Sequence, residues 1–223
     1  MLSVTNQILT SNKKELGWSM ANSQKFWDRI AADYAKKPVD NVEDFQQKIN
    51  HIQGYLYADD NVLDFACGTG TISLELANSV KSIDAIDTSV NMLAIAKQRS
   101  KDMGIKNVNY MQTDIFDAQL RPAQFDVVLA FNIFHLVPTI DKTLSRVNQL
   151  LKPGGLLISE TPCIGGQHVI FRFLMGGMAK LGIVPTFKNY KADALSNLIT
   201  TANFEIIENK TGKDLFLVAK KCF

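Results

Sequence analysis

The sequence predicts an α/β fold built on a doubly wound sheet. Three observations carry this reading: short apolar runs recur along the chain, helical patterns separate most of them, and several runs end in an acid or a glycine turn. Strand–helix alternation calls for parallel strands with helices on both faces. The chain opens with two helical stretches. Over 23–36, Phe26, Trp27, Ile30 and Tyr34 recur at helical spacing until Pro38 ends the pattern, and 42–55 follows. Strands are expected at 61–66, 82–86, 107–111, 125–130, 156–160, 204–208 and 214–219, and further helices at about 71–79, 89–103, 140–151 and 191–202. No helical pattern separates the last two strands, so an antiparallel hairpin at a sheet edge is expected there.

At 223 residues the default is one domain with room for a substantial core. Residues 1–22 are expected to be a disordered tail, 23–223 a single domain, 23–58 its helical cap, and 162–190 an insertion. A net charge of +2 is too small to imply a nucleic-acid partner. The three cysteines, Cys67, Cys163 and Cys222, are odd in number and far apart, which fits a reducing, cytoplasmic setting and no disulfide framework. No secretory leader is visible in residues 1–17, and no run approaches the roughly 18 apolar residues a membrane span needs. His51, His135 and His168 are scattered, so no metal site is expected.

The most informative stretch is Val62-Leu63-Asp64-Phe65-Ala66-Cys67-Gly68-Thr69-Gly70, a buried strand running into a glycine turn and then a helix. Gly68 and Gly70 let backbone adopt positive φ and approach a small molecule, and the helix that follows points unpaired N–H groups the same way. The alternative is a tight strand–helix turn without a ligand. Asp87 ends the next strand, 19 positions after Gly68, where doubly wound nucleotide-binding folds hold a ribose diol. It could equally be a solvated strand end or a helix cap competing with Thr88 and Ser89. Ser73 occupies the third glycine position of a dinucleotide fingerprint, and no Lys or Arg lies in the turn, so the ligand suggested is nucleoside-like without phosphate.

Four segments, Leu63 to Gly70, Ile86 to Leu93, Gln112-Thr113-Asp114-Ile115 and Leu151-Lys152-Pro153-Gly154-Gly155, resemble in order and spacing the class I S-adenosylmethionine-dependent methyltransferases, in particular the small-molecule branch of the ubiquinone/menaquinone-biosynthesis type. The resemblance runs from about Phe26 to Lys220; Ala66 departs from it, since many relatives have glycine there. It implies a Rossmann-like sheet of seven strands with the last one antiparallel, N-terminal helices and an inserted lid. It also implies S-adenosylmethionine as cofactor, S-adenosylhomocysteine as its product, and a small-molecule acceptor methylated on oxygen, carbon or nitrogen.

Carried onto this sequence, the resemblance implies a cofactor site of Asp64, Ala66, Gly68, Gly70, Asp87, Thr88, Met92, Asp114, Ile115, Ala130 and Asn132. Asp64 would hold the methionyl amino group directly or through water, or else serve only to bond loop N–H groups. Asp114 would accept from the adenine amino group with Ile115 on the ring, or else cap a helix. Met92 would flank the adenine or belong to the core. His135 is the candidate base, with a packed histidine beside the pocket as the alternative. Tyr34 would close over the cofactor or pack with Trp27 and Phe26.

The apolar, glycine-punctuated segment 162–190 is longer than an ordinary connection and is expected to wall the acceptor pocket through Phe171, Phe173 and Met175. Arg172, Lys180 and Lys188 would serve a peripheral membrane contact; a helical layer packed on the domain is the alternative. Nucleic-acid methylation is disfavoured, because Asn132-Ile133-Phe134-His135 lacks the prolines of amino-methylating enzymes and no basic stripe is present. Protein methylation and a non-catalytic S-adenosylmethionine-binding role are further alternatives, and both a monomer and a homodimer are open.

Overall fold

The computed structural model describes residues 23–38, 41–163, 187–212 and 214–223. The expected N-terminal tail and the lid residues Phe171, Arg172, Phe173, Met175 and Lys180 lie outside them. Helix α1 covers residues 23–36, and α2 (Val42–Gln53) follows, its N-terminus capped by Asn41, whose side chain accepts from the Glu43 and Asp44 N–H groups. The alternation then runs β1 (Asn61–Phe65), α3 (Thr71–Leu76), β2 (Ser82–Asp87), α4 (Val90–Asp102), β3 (Val108–Gln112), β4 (Phe125–Phe131), α5 (Ile140–Leu150), β5 (Leu151–Pro162), α6 (Ala192–Thr201), β6 (Phe204–Thr211) and β7 (Asp214–Lys221).

The strands form one seven-stranded sheet in the order β3-β2-β1-β4-β5-β7-β6. β1 to β5 pair in parallel, and β7 enters antiparallel between β5 and β6. The order reverses beside β1, so the carboxyl ends of β1 and β4 diverge and leave a crevice, the usual ligand position in such sheets. Leu63, Val128, Leu157 and Leu217 face a core with α5 and α6; Val62, Val127, Ile158 and Val218 face a second core with α2 and α3. That burial on both faces is why the strands read as continuous apolar runs.

Two elements differ from the sequence expectation. The α3 helix stops at Leu76 and continues as a 3₁₀ turn over Ala77–Ser79. β5 starts at Leu151, five residues before the expected start, because the Lys152-Pro153-Gly154-Gly155 stretch stays in the sheet through a register shift opposite Phe125 and Val127. Gly154 sits at φ 74°, and a Cβ on Gly155 would lie 2.8 Å from the Asp126 carbonyl oxygen, so the bulge needs both glycines. Lys152 Nζ returns to both oxygens of Asp126 at 2.7 Å, pinning the bulge at the sheet end opposite the crevice.

Candidate functional site

A cavity of about 220 Å³ opens at the carboxyl ends of β1, β2, β3 and β4. Its walls come from each strand-end loop and from α1, which contributes Ser23, Trp27 and Tyr34 from one face. Asp87 and Asp114 are the charged residues of the wall; Phe65, Ile86, Met92, Ile115, Phe131, Ile133 and Leu136 make most of the rest apolar. No Lys, Arg or His lines the cavity among the described residues.

Asp87 is the anchor of the turn. Its Oδ2 accepts from the Gly68 N–H at 2.9 Å, and its Oδ1 accepts from the Ser89 N–H at 2.8 Å. A carboxylate offers about four acceptor positions, so with the Thr88 N–H as a third donor about one is left for a ligand. Burial raises the Asp87 pKa, and backbone N–H groups of Ser89, Gly68 and Thr88 counter it. Ser89, not Asp87 or Thr88, is the N-cap of α4, its side chain accepting from the Met92 N–H at 3.2 Å.

Gly68 holds φ 55° with open space where a Cβ would stand, so the cavity reaches its backbone. Ala66 holds φ 62°, a conformation that costs an alanine about 1–2 kcal/mol. Asn132 also has positive φ, 55°, and its N–H donates to the Glu160 carbonyl at 2.8 Å, which turns the chain out of β4 along the cavity floor.

Asp114 Oδ1 accepts from the Phe116 N–H at 2.7 Å, closing a short turn and capping no helix. Arg146 of α5 secures this loop from beneath, donating to the carbonyls of Ile115 (3.1 Å), Asp117 (3.0 Å) and Leu120 (2.8 Å). Ile115 is 2% exposed, so its flat apolar surface is presented in a fixed place.

Asp64 is 3% exposed, accepts from the Ser73 hydroxyl, and is pushed up to about 6 by burial. The Ser73 bonds oppose that rise, and the nearby Asp87 charge reinforces it. Burial also lifts the Cys67 thiol well above its ordinary value, which keeps it protonated and unreactive.

A family profile described as "Methyltransferase domain" matches residues 56–209, more than half of the chain. The chain belongs to this methyltransferase family. Among curated relatives, it is 38% identical over 117 residues to a demethylmenaquinone methyltransferase of Leptospira interrogans, covering 49% of this chain and 44% of that protein. It is 27% identical over 192 residues to a ubiquinone biosynthesis O-methyltransferase of Azoarcus sp., covering 83% and 79%. The chain thus spans under half the length of the first of these. An S-adenosylmethionine-dependent methyltransferase of Methanosarcina mazei has the same fold at TM-score 0.63 and 21% identity, over 77% of this chain and 97% of that one. A Bacillus halodurans protein described as a methyltransferase superposes at TM-score 0.64 and 22% identity, over 74% and 70%. The chain therefore shares its fold with these solved structures.

Of the residues expected from sequence, the structure brings Tyr34, Ala66, Gly68, Asp87, Thr88, Met92, Asp114, Ile115 and Asn132 together on the cavity wall. Asp64, Gly70 and Ala130 stand behind it. Asp64 points into the α3 interface toward Ser73. A Cβ on Gly70 would lie 3.0 Å from Ala96 Cβ and 3.2 Å from the Tyr110 hydroxyl, so that glycine admits helix α4 and not a ligand. Ala130 is fully buried in the core.

Of the two readings of His135, its packing matches a histidine beside the pocket. It does not line the cavity; its ring stacks on Phe187 at 5.9 Å and 15°, and its Nδ1 is buried without a hydrogen-bond partner among the described residues. Burial lowers its pKa, with Asp214 opposing. Lys188, expected at a membrane surface, donates from Nζ to the Pro138 carbonyl at 2.5 Å on the cavity rim.

The sequence reading missed Ser23 and Trp27 as wall residues. Trp27 sits at helical spacing with other aromatics, a pattern that signals core packing as strongly as a ligand wall.

Proposed function

We propose that this methyltransferase moves the methyl group of S-adenosylmethionine onto a small apolar or aromatic acceptor. The observation that carries the proposal is Asp87. It presents a carboxylate with acceptor capacity still open at the end of β2, beside a glycine backbone that the cavity reaches. That pairing suits a ribose diol, and the lack of a cationic wall residue among those described disfavours a phosphate-bearing ligand.

The residues fit the cofactor by chemistry as well as by place. Asp87 would take the ribose hydroxyls, with Thr88 and Gly68 beside it. Asp114 would accept from the adenine amino group through Oδ2, since Oδ1 is committed to Phe116, and Ile115 and Met92 would sandwich the ring. Asp64 carries negative charge toward the turn from behind, where a cationic amino group would meet it through Ser73 or water. Trp27 and Tyr34 would cover the ligand from α1 and exclude water.

The cofactor supplies a methyl group on a good leaving group, so the protein's own task is alignment, worth about 7–11 kcal/mol when near-attack geometry is held. Ile133, Leu136 and Val137 offer an apolar wall for the acceptor. His135, one turn beyond Asn132, is our candidate for removing a proton from a phenol or enol. Burial lowers its pKa, which keeps it a neutral imidazole at physiological pH. The names of the relatives, demethylmenaquinone methyltransferase and ubiquinone biosynthesis O-methyltransferase, favour a quinone-like aromatic acceptor.

The test pairs calorimetry with S-adenosylhomocysteine and incubation of the protein with methyl-labelled S-adenosylmethionine and a cell extract split into organic and aqueous fractions. Micromolar binding with label entering the organic phase supports the proposal. Label in polar metabolites overturns the acceptor class, and label in protein or nucleic acid overturns the small-molecule assignment. Binding without label transfer to any fraction points to a non-catalytic cofactor-binding protein.

A further inference from the structure

The first helix is anchored at both ends to the elements that hold the cofactor loop, and one side chain makes most of that anchor. Asp28 lies on α1, next to the wall residue Trp27. Its Oδ1 accepts from the Ser89 hydroxyl at 2.6 Å and from the Asn91 N–H at 3.2 Å, and its own carbonyl accepts from Asn91 Nδ2 at 3.0 Å. The carboxylate therefore meets the first turn of α4, where unpaired N–H groups and the helix dipole favour an anion.

Ser89 ties this contact to the site. The hydroxyl that donates to Asp28 also accepts from Met92, and the Ser89 N–H donates to Asp87 Oδ1 at 2.8 Å. A continuous chain of bonds thus runs from α1 through Ser89 to Asp87 and on to Gly68. At the far end of α1, Arg99 Nη2 donates to the Ala35 carbonyl at 2.8 Å while Nη1 donates to Thr69 Oγ1 at 3.0 Å, bracing the same glycine turn. Trp27 precedes the first fastening and Tyr34 the second, edge to face at 6.1 Å, both on the cavity wall.

We propose that Asp28 is a positioning residue: by gripping Ser89 and Asn91 it holds α1 across the cavity, so that Trp27 and Tyr34 cover the ligand while Ser89 keeps Asp87 oriented toward it. The inference rests on the cofactor reading of the cavity. Nothing in the spacing of α1 marks Asp28 for this role, because its partners lie 61 and 63 positions away.

The test is Asp28→Ala, with Asp28→Asn as the conservative variant. The readouts are S-adenosylhomocysteine affinity by calorimetry and hydrogen exchange of residues 23–36. Asp28→Ala is expected to weaken affinity at least tenfold and to speed exchange in α1, with or without ligand, while α2 and the sheet keep wild-type rates. Asp28→Asn keeps an acceptor for Ser89 and is expected to stay within about threefold of wild type.

Affinity of Asp28→Ala within twofold of wild type, or unchanged exchange in α1, overturns the proposal. If Asp28→Ala fails to fold, Asn91→Ala removes only the donor to the Asp28 carbonyl and is expected to give a smaller effect of the same sign; no effect there also overturns it. If wild-type protein does not bind S-adenosylhomocysteine, the cofactor reading fails, while exchange in the unliganded variants still decides whether Asp28 holds the helix.

Discussion

Replacing Asp64 with asparagine separates the cost of a buried charge from its use. Asp64 is 3% exposed, and burial raises its pKa from 3.8 to about 6. A raised carboxylate pKa means the native state prefers the protonated form. Its contribution to stability is fully present below about pH 4 and is lost as pH rises through about 6. At 1.36 kcal/mol per unit, the shift of about two units leaves the wild type about 3 kcal/mol less stable at pH 8 than it would be with a neutral group there. The substituted amide keeps an acceptor for the Ser73 hydroxyl but sets a nitrogen where the second carboxylate oxygen stood, which costs about 1 kcal/mol. The net expectation for Asp64→Asn is a gain of about 2 kcal/mol at pH 8, or roughly 4–8 °C in Tm for a domain of this size. Below pH 4 the ionisation advantage has vanished, and Asp64→Asn should be the less stable protein by about 1 kcal/mol. Urea titrations at pH 3.5 and 8 check this. The same difference at both pH values, or no gain at pH 8, would refute the picture of Asp64 as a charge kept in the interior at a cost. If that charge serves the cofactor's amino group, the stabilised variant also binds S-adenosylmethionine more weakly, and wild-type affinity itself falls as pH drops below about 6.

Asp87→Ala removes the proposed ribose acceptor and strands the Gly68 and Ser89 N–H groups; calorimetry should show S-adenosylhomocysteine affinity weakened by about 1–3 kcal/mol, and unchanged affinity refutes the role. Ala66→Gly relieves a left-handed alanine at φ 62° and should raise stability by about 0.5–1 kcal/mol after the entropy of the added glycine, read as a higher urea midpoint. Glu208 is held down to about 2 by Lys210, Tyr55 and His51 against its own burial, so its stabilisation is present above about pH 4.5 and lost as pH falls toward 2. With solvent beside it, that cluster is worth about 1 kcal/mol. Glu208→Gln should therefore lower stability at pH 7 and approach wild type at pH 2.5. His135→Gln should slow turnover of a phenolic acceptor by about 100-fold or more while leaving S-adenosylhomocysteine affinity intact, if the histidine takes the proton.

The strand ends were legible because parallel strands buried on both faces leave apolar runs that stop at a polar residue or a glycine turn, as β1 does before Gly68 and β2 at Asp87. The antiparallel β6–β7 hairpin followed from the missing helix between 208 and 214, while the insertion of β7 inside a seven-stranded sheet came from the family resemblance. What the sequence could not resolve was which strand-end residue faces the ligand. Asp64 and Asp87 look alike in one dimension, yet Asp64 sits before the turn and faces Ser73, whereas Asp87 sits at the end of β2 and faces Gly68. Gly70 reads like Gly68, but its missing Cβ makes room for Ala96, twenty-six positions later. Long-range partners of this kind leave no local signal. Trp27 was hidden for the same reason: periodicity shows that one face of α1 is apolar and cannot show whether core or cavity lies beneath it.

Buried Asp64 and half-buried Asp87 also give a way for the turn to hold the proposed charged ligand without a basic residue. Asp87 receives backbone N–H groups from two sides of the crevice and keeps acceptor capacity open toward it, so its charge is stabilised before any ligand arrives. Asp64 has only the Ser73 bonds against full burial, and the field of Asp87 adds to its cost. A ligand carrying positive charge lowers that cost on binding, and a neutral one does not. S-adenosylmethionine carries one more positive charge than S-adenosylhomocysteine, so under the proposed cofactor reading the pair of acids would favour the methyl donor over the spent product. The preference should weaken in Asp64→Asn, where the ratio of the two dissociation constants moves toward one.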